Sequence, residues 1–334
     1  ALRLVAPAAV QLARGRARVG AAQLAVADGQ LRLAEFAWDD GRIATSGSFA
    51  GVPLASVARF AGEPLPFRST VTLGGEWSLA AVPRLTGTMM VRRETGDVFL
   101  TRSATSDSTV AAGITALEAV ARFTDDAVDA TALLRSTRGD TADAKLAIGA
   151  VADAPPGRLA ADAPLDFSVT GDIPSLQFLQ PWIGSAAVVS GRAHVAIAAR
   201  GTVGRAALSG AFVGEGLRID APQYGLHFTN GRLVARAADG RIVIDEIVLG
   251  AGAGVFRASG EIAGLAPGGA KPVARLAWRA EKFRVFNRPD LRLVVGGEGN
   301  AVAENGKVAL TGKLRVDEGG IVYLATPDAT LGDD

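Results

Sequence analysis

Two-residue turns, each followed by a strand that stays in phase with the one before it, constrain this chain more than any other feature. Asn-Gly and Asp-Gly favour tight hairpins because both central residues of the turn need positive φ. A one-residue slip would move every side chain to the other face of the sheet, so agreement at successive turns is informative. The sequence predicts hairpins at Asp28-Gly29, Asp40-Gly41, Asn230-Gly231, Asp239-Gly240, Asn305-Gly306 and Glu318-Gly319.

The turns also predict which residues face each other across neighbouring strands. The predicted pairs are Val26–Leu31, Leu24–Leu33, Trp38–Ile43, Phe228–Leu233, Leu226–Ala235, Ala237–Ile242, Ala235–Ile244, Ala303–Val308, Ala301–Leu310, Val316–Ile321 and Leu314–Tyr323. A change of phase around Glu35 predicts a β-bulge. One face of the predicted sheet therefore stays apolar from strand to strand.

Composition agrees with an extended all-β architecture. Of the 334 residues, 49% are hydrophobic, 41 are Gly and only 6% are aromatic, which is typical of short strands punctuated by glycine turns. The net charge of +1 argues against nucleic-acid binding, and the lack of cysteine excludes disulfides and thiolate metal sites. Because no apolar run approaches the ~18 residues of a membrane-spanning helix, we expect targeting and anchoring segments elsewhere in a longer protein.

Two short helices are predicted to interrupt the strands. Helical spacing of apolar residues predicts the first over Pro53–Ala61. The second is predicted over Pro174–Ile183, with Asp172 as its cap and Pro181 either kinking or ending it. The predicted organisation is a strand segment 1–170, a helix 171–184 and a strand meander 185–334. Thr101–Thr109 is predicted to be a surface turn or a loose edge of the sheet, and loops are predicted at Ala154–Pro164 and Gly264–Pro272.

The residues that carry chemistry elsewhere predict no catalytic, cofactor or metal site here, and we expect no enzyme. His194 and His227 alternate with apolar neighbours and are predicted to be ordinary sheet-surface histidines. The acidic residues Asp125, Asp126 and Asp129 lack the spacing of a calcium loop and predict a solvated turn. Gly250–Gly254 is followed by a strand pattern rather than by the helix that a phosphate-binding loop requires.

The segment Gly87–Val98 resembles a recurring G-x-x-x-x-R-R-x-x-G-D element of the TamB proteins, inner-membrane components of the bacterial translocation and assembly module. Further similarity lies, in the same order as in that family, in Ile173–Ile183 followed by Ser190-Gly191-Arg192, in Leu208–Leu233, in Arg288–Leu293 and in Gly312–Val316. The family's N-terminal membrane anchor and its extreme C-terminus have no counterpart in this chain.

The resemblance implies an elongated, mostly antiparallel, AsmA-like "β-taco", a sheet folded into a U around an apolar groove. It also implies a periplasmic conduit that carries phospholipids between the inner and outer membranes. The implied partners are phospholipid acyl chains and a BamA-like outer-membrane barrel, the latter through a C-terminal region absent here.

The in-register apolar face is the candidate groove, and the second helix is a candidate plug. The candidate lining residues are Leu226, Phe228, Leu233, Ile242, Ile244, Leu291, Leu293, Val295, Val308, Leu310, Leu314, Val316, Ile321 and Tyr323. The candidate plug residues are Leu176, Phe178, Leu179, Trp182 and Ile183. These mostly aliphatic side chains suit diffuse binding of acyl chains better than recognition of a small polar ligand.

Two other functions remain open at this point. The first is a chaperone-like role in outer-membrane protein assembly, in which sheet edges or the groove receive β-strands. The second is a purely structural β-solenoid or adhesin module, whose apolar face is a dry core. Alternation alone predicts an apolar face without predicting what covers it.

Overall fold

Strands dominate the computed structural model, which describes residues 2–26, 28–60, 62, 65, 67–103, 106–151, 160–183, 186–238, 240–264, 272–304 and 307–322. The first strands are β1 Leu2–Leu4, β2 Val10–Ala13, β3 Arg16–Val19, β4 Ala22–Val26, β5 Gly29–Asp39, β6 Arg42–Pro53, β7 Arg68–Ser69, β8 Thr72–Ala81, β9 Leu85–Thr95, β10 Val98–Ser103 and β11 Ser106–Ala111. They are followed by β12 Ile114–Thr124, β13 Ala127–Ser136, β14 Thr141–Ile148, β15 Pro164–Ile173, β16 Val188–Thr202, β17 Arg205–Ala221, β18 Leu226–Ala238, β19 Arg241–Ala251, β20 Gly254–Ala263, β21 Val273–Asn287, β22 Leu291–Glu304 and β23 Lys307–Ile321. The helical elements are α1 Leu54–Phe60, a 3-10 turn Leu176–Leu179 that runs into α2 Gln180–Ile183, and a second 3-10 turn Pro222–Tyr224.

Twenty strands belong to one antiparallel sheet, and β7, β10 and β11 form a second sheet of three. The predicted all-β, mostly antiparallel fold is therefore confirmed. Contacts divide the chain into unit 1, Ala1–Pro174 with His194–Gly210, and unit 2, Ser175–Ala193 with Ala211–Asp334. None of the described helices is long and apolar enough to span a bilayer.

Several turn predictions are confirmed. At Asp239-Gly240, Ala237 opposes Ile242 and Ala235 opposes Ile244. The other confirmed pairs are Trp38–Ile43, Ala303–Val308 and Ala301–Leu310, and the bulge near Glu35 is present. Gly250–Gly254 joins β19 to β20. Asp125 and Asp126 form the turn between β12 and β13, both with positive φ, whereas Asp129 lies in β13. Strong turn residues thus set the register where the chain reverses.

The hairpin predicted at Asn230-Gly231 is wrong. β18 runs through this pair and stays bonded to β19 on both sides of it, with Thr229 opposite Gly250 and Arg232 opposite Val248. Asn230 does take a positive φ of 52°, as an Asn-Gly turn would require. The same backbone conformation also builds a β-bulge, so the preference of Asn-Gly for positive φ is satisfied here without a reversal of the chain.

Two further turns differ from prediction. Glu318-Gly319 is not a hairpin, because β23 continues and Gly319 opposes Leu293 while Ile321 opposes Leu291. The turn near Asp28-Gly29 is shifted, so that Leu24 opposes Leu31 rather than Leu33. That shift moves the pairing by two residues, and because side chains alternate with a period of two it leaves the apolar face unchanged.

The helices are shorter than predicted. α1 is close to the prediction, whereas the second helix begins only at Leu176, with the Ser175 hydroxyl rather than Asp172 accepting the backbone N–H of Gln177. The segment Thr101–Thr109, predicted to be a surface turn or a loose edge, belongs mostly to β10 and β11, which pair with each other, and β11 is an edge strand of the three-stranded sheet. Most of the predicted loops at Ala154–Pro164 and Gly264–Pro272 lie outside the described residues, as does Tyr323.

Candidate functional site

A ladder of opposed residues defines one apolar face in unit 2. Directly opposed residues in an antiparallel pair point to the same side of the sheet. Leu249 on β19 opposes Phe256 on β20, which in turn opposes Ala280 on β21. Ala280 opposes Gly297 on β22, and Gly297 opposes Leu314 on β23. We call the surface that this ladder follows from β18 to β23 the apolar face of unit 2.

Bulges bend the strands without moving apolar side chains to the other side. In β18 the residues Asn230 and Gly231 stand against the single residue Leu249, so Phe228 and Leu233 still share a face. In β21, Glu281 and Lys282 stand opposite the single residue Gly296 of β22, between the pairs formed by Ala280 and Phe283. Since each bulge places two residues where the partner has one, the alternation resumes in phase beyond it.

All candidate lining residues that the structure describes lie on the apolar face of unit 2. They are Leu226, Phe228, Leu233, Ile242, Ile244, Leu291, Leu293, Val295, Val308, Leu310, Leu314, Val316 and Ile321. Residues predicted to face each other across the false hairpin, such as Phe228 and Leu233, therefore still lie on one surface, but at separate positions along β18. Tyr323 lies outside the described residues.

The opposite side of unit 2 is charged. Arg236 bonds both carboxylate oxygens of Asp245, at 2.7 and 2.6 Å, and Arg232 lies 3.3 Å from Glu246. Further ion pairs are Arg279–Glu281, Arg279–Glu298 and Arg315–Asp317. These exposed pairs contribute little to stability individually. They lie on the side opposite the apolar face, together with scattered valines such as Val243, which opposes Arg236.

Aromatic rings on the apolar face lie over small residues. The rings of Phe228 and Phe283 are 5.2 Å apart and those of Phe256 and Phe283 are 5.7 Å apart. These rings belong to a cluster that buries Ala251 and Ala280. Trp278 stands directly opposite Gly299, where an added Cβ would lie 2.9 Å from the indole ring. Flat-lying rings cover the backbone of a glycine-rich sheet and leave the space above it free.

The apolar face is only partly covered. Of the thirteen described candidates, Val295 alone is buried, at 6% exposed. The five on β23 (Val308, Leu310, Leu314, Val316 and Ile321) are 57–81% exposed. The remaining seven are half-buried. A second layer packed on this face would bury such side chains, as in a β-sandwich.

Unit 1 carries an equivalent apolar face that the sequence analysis did not select. Its register runs from β4 to β15 through β5, β6, β8, β9, β12, β13 and β14. The larger side chains on it are Leu24, Leu31, Leu33, Phe36, Trp38, Ile43, Phe49, Trp77, Leu79, Met89, Val91, Leu117, Phe123, Val128, Leu134, Leu146, Ile148, Leu165, Phe167 and Val169. The Asp40-Gly41 hairpin was the signal from which this face could have been extended.

The candidate plug residues lie in one short helical segment of unit 2. Leu176 is buried, while Phe178, Leu179 and Ile183 are half-buried and Trp182 is exposed. The rings of Phe178 and Trp182 meet edge to face with centroids 6.4 Å apart. The segment is thus held partly by contacts among its own side chains. Whether it occludes the apolar face stays a prediction.

The two histidines are surface residues bonded to carboxylates. His194 Nδ1 lies 2.8 Å from Asp172, and His227 bonds Asp220, which also accepts a 2.6 Å hydrogen bond from Arg218. Partial burial acts to raise the pKa of Asp220, but the hydrogen bonds and charges of Arg218 and His227 outweigh it and lower the pKa. The residue that completes the cluster of His227 and Asp220 is the cation Arg218, whereas a catalytic triad would have a nucleophile there. Among the described residues no group of His, Asp or Glu is placed to hold a metal ion.

The Arg-Arg-x-x-Gly-Asp element has a structural role in unit 1. The Asp97 carboxylate accepts hydrogen bonds from the backbone N–H groups of Val98, Gly113 and Ile114, at 2.8, 2.8 and 3.1 Å. Partial burial acts to raise the pKa of Asp97, but these bonds and the nearby Arg93 lower it overall. We call Arg93, Gly96 and Asp97 the clasp, because they join the end of β9 to the starts of β10 and β12.

No family model, no curated protein and no solved structure matches the chain.

Proposed function

We propose that the apolar faces shelter the acyl chains of phospholipids, and that the chain is a segment of a periplasmic lipid conduit with no chemistry of its own. In this proposal each face lines the inside of a sheet folded into a U, as in the AsmA-like β-taco of the TamB proteins. The conduit belongs to a longer protein held in the inner membrane and reaching a partner in the outer membrane. The helical segment Leu176–Ile183 is a plug in this scheme.

The partial exposure of the apolar face in unit 2 carries this proposal. Each large apolar side chain left in water forgoes about 1.5–3 kcal/mol of burial free energy. A structural module would recover that free energy by closing a second layer over the face. Here twelve of the thirteen described candidates are not buried, and those on β23 are mostly exposed. An apolar ligand that fills the groove would recover the same free energy.

The physics of lipid transfer requires a surface of this kind. Exposing about thirty acyl methylenes to water costs on the order of 25 kcal/mol, at roughly 0.8 kcal/mol each. A carrier must therefore shelter the chains throughout, without strong binding at any one point. The ladder from Leu249 to Leu314 crosses five strands, which corresponds to about 19 Å at roughly 4.8 Å per strand.

A second function is favoured by one observation on β23. Among the described residues this strand pairs with β22 alone, along Lys307–Ile321, and all of its side chains are exposed. An unpaired edge of this length can receive an incoming strand by β-augmentation. A chaperone-like role in outer-membrane protein assembly would use this edge, and its ligand would be an unfolded polypeptide rather than a lipid.

Site-specific photo-crosslinking in intact cells tests both functions. A photo-reactive residue at Leu293 or Leu314 should capture phospholipid, because both side chains lie on the apolar face. The matched control is His227, which is exposed on the other face next to Phe228. We expect lipid adducts at the first two positions and background at the control.

The pattern of adducts separates the alternatives. Equal background labelling at all three positions contradicts the lipid proposal. Adducts with outer-membrane proteins at Leu314, in place of lipid, support the assembly function. Lipid adducts at His227 as strong as those at Leu293 would show that lipid binds non-specifically to both faces rather than in an apolar groove.

A further inference from the structure

The strands β18 and β21 touch at one end, although β19 and β20 separate them in the sheet. In a flat sheet, three spacings of roughly 4.8 Å would hold the backbones of β18 and β21 about 14 Å apart. Here the backbone N–H of Asn287, the last residue of β21, donates to the carbonyl oxygen of Gly225, just before β18, at 2.9 Å. The hairpin of β19 and β20 stops short of this contact, at Ala251 and Gly254. The sheet of unit 2 is therefore curled at this end.

The sheet curls towards its apolar face, because rings from that face meet inside the curl. Phe228 of β18 and Phe283 of β21 have ring centroids 5.2 Å apart, and Phe283 lies 5.7 Å from Phe256 of β20. A curl in the other direction would move these side chains apart. The ring planes in the two contacts differ by 31° and 48°, so the three rings do not form one flat layer on the backbone. We call Phe228, Phe256 and Phe283 the aromatic stop.

Coverage of the apolar face decreases with distance from the aromatic stop. Beside the stop, Ala280 of β21 and Val295 of β22 are 4% and 6% exposed. Farther along these two strands, Leu276 and Ala301, which oppose each other, are half-buried. Most residues that face the same side on this stretch of β20–β22 are small, namely Ala258, Gly260, Ala274, Gly299, Ala301 and Ala303. They line a trough that follows the strands and ends at three packed rings.

A trough with a filled end limits the length of an apolar chain that can lie in it. From Ala280, beside the stop, β21 extends seven residues to Val273, or about 23 Å at roughly 3.3 Å per residue. The hydrocarbon of one bilayer leaflet is about 15 Å thick, so the acyl chain of a membrane lipid can lie along this stretch. Each methylene within the trough leaves water, which corresponds to about a fourfold gain in affinity. A methylene beyond it would have to displace packed rings, which is unfavourable.

We propose that the aromatic stop sets the longest acyl chain that unit 2 shelters in full. The acyl chain of a phospholipid lies along β20–β22, passes Trp278 and ends with its methyl group against the ring of Phe256. Behind that ring, Phe283 and Phe228 close the end of the trough from β21 and β18. The inference rests on the proposed lipid function and adds to it a selection by acyl-chain length.

Fluorescence titration of the full chain with alkylphosphocholines that differ by single methylenes, below their micelle concentrations, tests the aromatic stop. Replacing Trp38, Trp77 and Trp182 by Phe leaves Trp278 as the only tryptophan. Because Trp278 stacks on Phe256 with ring centroids 6.4 Å apart, its fluorescence reports binding next to the stop. In this background, affinity should rise about fourfold per methylene up to one chain length and then level off.

Three variants in the same background locate the end of the trough. Phe256→Ala removes the ring at that end and should move the plateau to longer chains by at least one methylene. The control Leu276→Ala removes a half-buried apolar side chain from the trough away from the stop. It should weaken binding of the chains that reach it and leave the plateau in place. Ala301→Phe adds a ring to the trough without changing the stop and should move the plateau to shorter chains.

A plateau at the same length in Phe256→Ala and Ala301→Phe overturns the aromatic stop, as does an equal shift in Leu276→Ala. If Phe256→Ala does not fold, Ala301→Phe decides alone. Affinity that rises with every methylene and never levels off contradicts the stop while supporting the apolar groove. Affinity that is independent of chain length contradicts the groove itself, and the stop with it.

Discussion

The Cβ position of Gly96 is occupied by the chain itself. Gly96 has φ of +83°, and an added Cβ would overlap the carbonyl oxygen of Thr70. Thr70 is in turn tied to Asp97, whose backbone oxygen accepts its N–H at 2.9 Å. Arg93 closes the group by donating to the Gly96 oxygen at 2.9 Å. The clasp thus brings two sheets together at a point where no larger residue fits.

Replacing Gly96 by Ala should destabilise unit 1 by more than the backbone conformation alone explains. Gly41 provides the matched control, because its φ of +86° is nearly the same and its Cβ position is open. We expect Gly41→Ala to cost about 1–2 kcal/mol, the usual cost of a left-handed Ala. Gly96→Ala should cost at least about 2 kcal/mol more, as measured by urea denaturation. Equal losses in the two variants would show that the overlap with Thr70 relaxes freely.

At the scale of elements, adjacent residues of β23 separate two surfaces. Leu310 opposes Ala301 on the apolar face, while the next residue, Thr311, opposes Asn300 on the charged face. Both side chains are exposed, so neither position is needed to fill a core. A difference in behaviour between them can therefore be assigned to the face rather than to the fold.

Leu310→Asp should reduce the capture of phospholipid by β23 while leaving the sheet folded. A carboxylate on the apolar face would have to lose water beside an acyl chain, which is unfavourable unless it is paired. Thr311→Asp introduces the same charge one residue away and should leave capture within twofold of the parent. Lipid recovered by photo-crosslinking at Leu314 measures the effect. Equal loss in both variants would point to a general charge effect and against the groove.

At the scale of the whole molecule, the two units repeat one design. In each unit the strands present a hydrocarbon face and a polar face, and the hydrocarbon face combines aliphatic side chains with aromatic rings that stand opposite glycines. In unit 1 Trp77 stands opposite Gly47, and Phe49 stands opposite Gly75. A conduit requires such repetition, since a lipid must find equivalent shelter at every step.

Because each unit has its own apolar face, the chain should bind more than one phospholipid. Native mass spectrometry should show this, and Met89→Asp/Leu146→Asp on the apolar face of unit 1 should lower the number bound. The control Thr88→Asp/Thr131→Asp places the same charges on the opposite face, next to these residues in sequence or register. Lipid adducts at Leu314 in unit 2 should persist in both variants. A single lipid per chain, unaffected by the variants, would contradict a role for unit 1.

Turn chemistry explains both the successes and the errors of the sequence analysis. The chain reverses between Ala238 and Arg241 as predicted, whereas Asn230-Gly231 satisfies the preference for positive φ inside a continuous strand. Local preference specifies a backbone conformation, and hairpin and bulge share it. A bulge forms where the neighbouring strand continues to offer hydrogen-bonding partners, and a hairpin forms where it does not. The position of that neighbouring strand is set by the tertiary structure.

The apolar face itself was determined by the sequence alone. Side chains alternate with a period of two, so a shift by two at Asp28-Gly29 or a bulge at Asn230 leaves Leu24, Phe228 and Leu233 on the faces that alternation assigns to them. Only the tertiary structure decided how far that face is covered. Coverage depends on whether another layer packs against it, and alternation is the same beside protein, lipid or water. Partial exposure of the apolar face is therefore a property of the folded molecule.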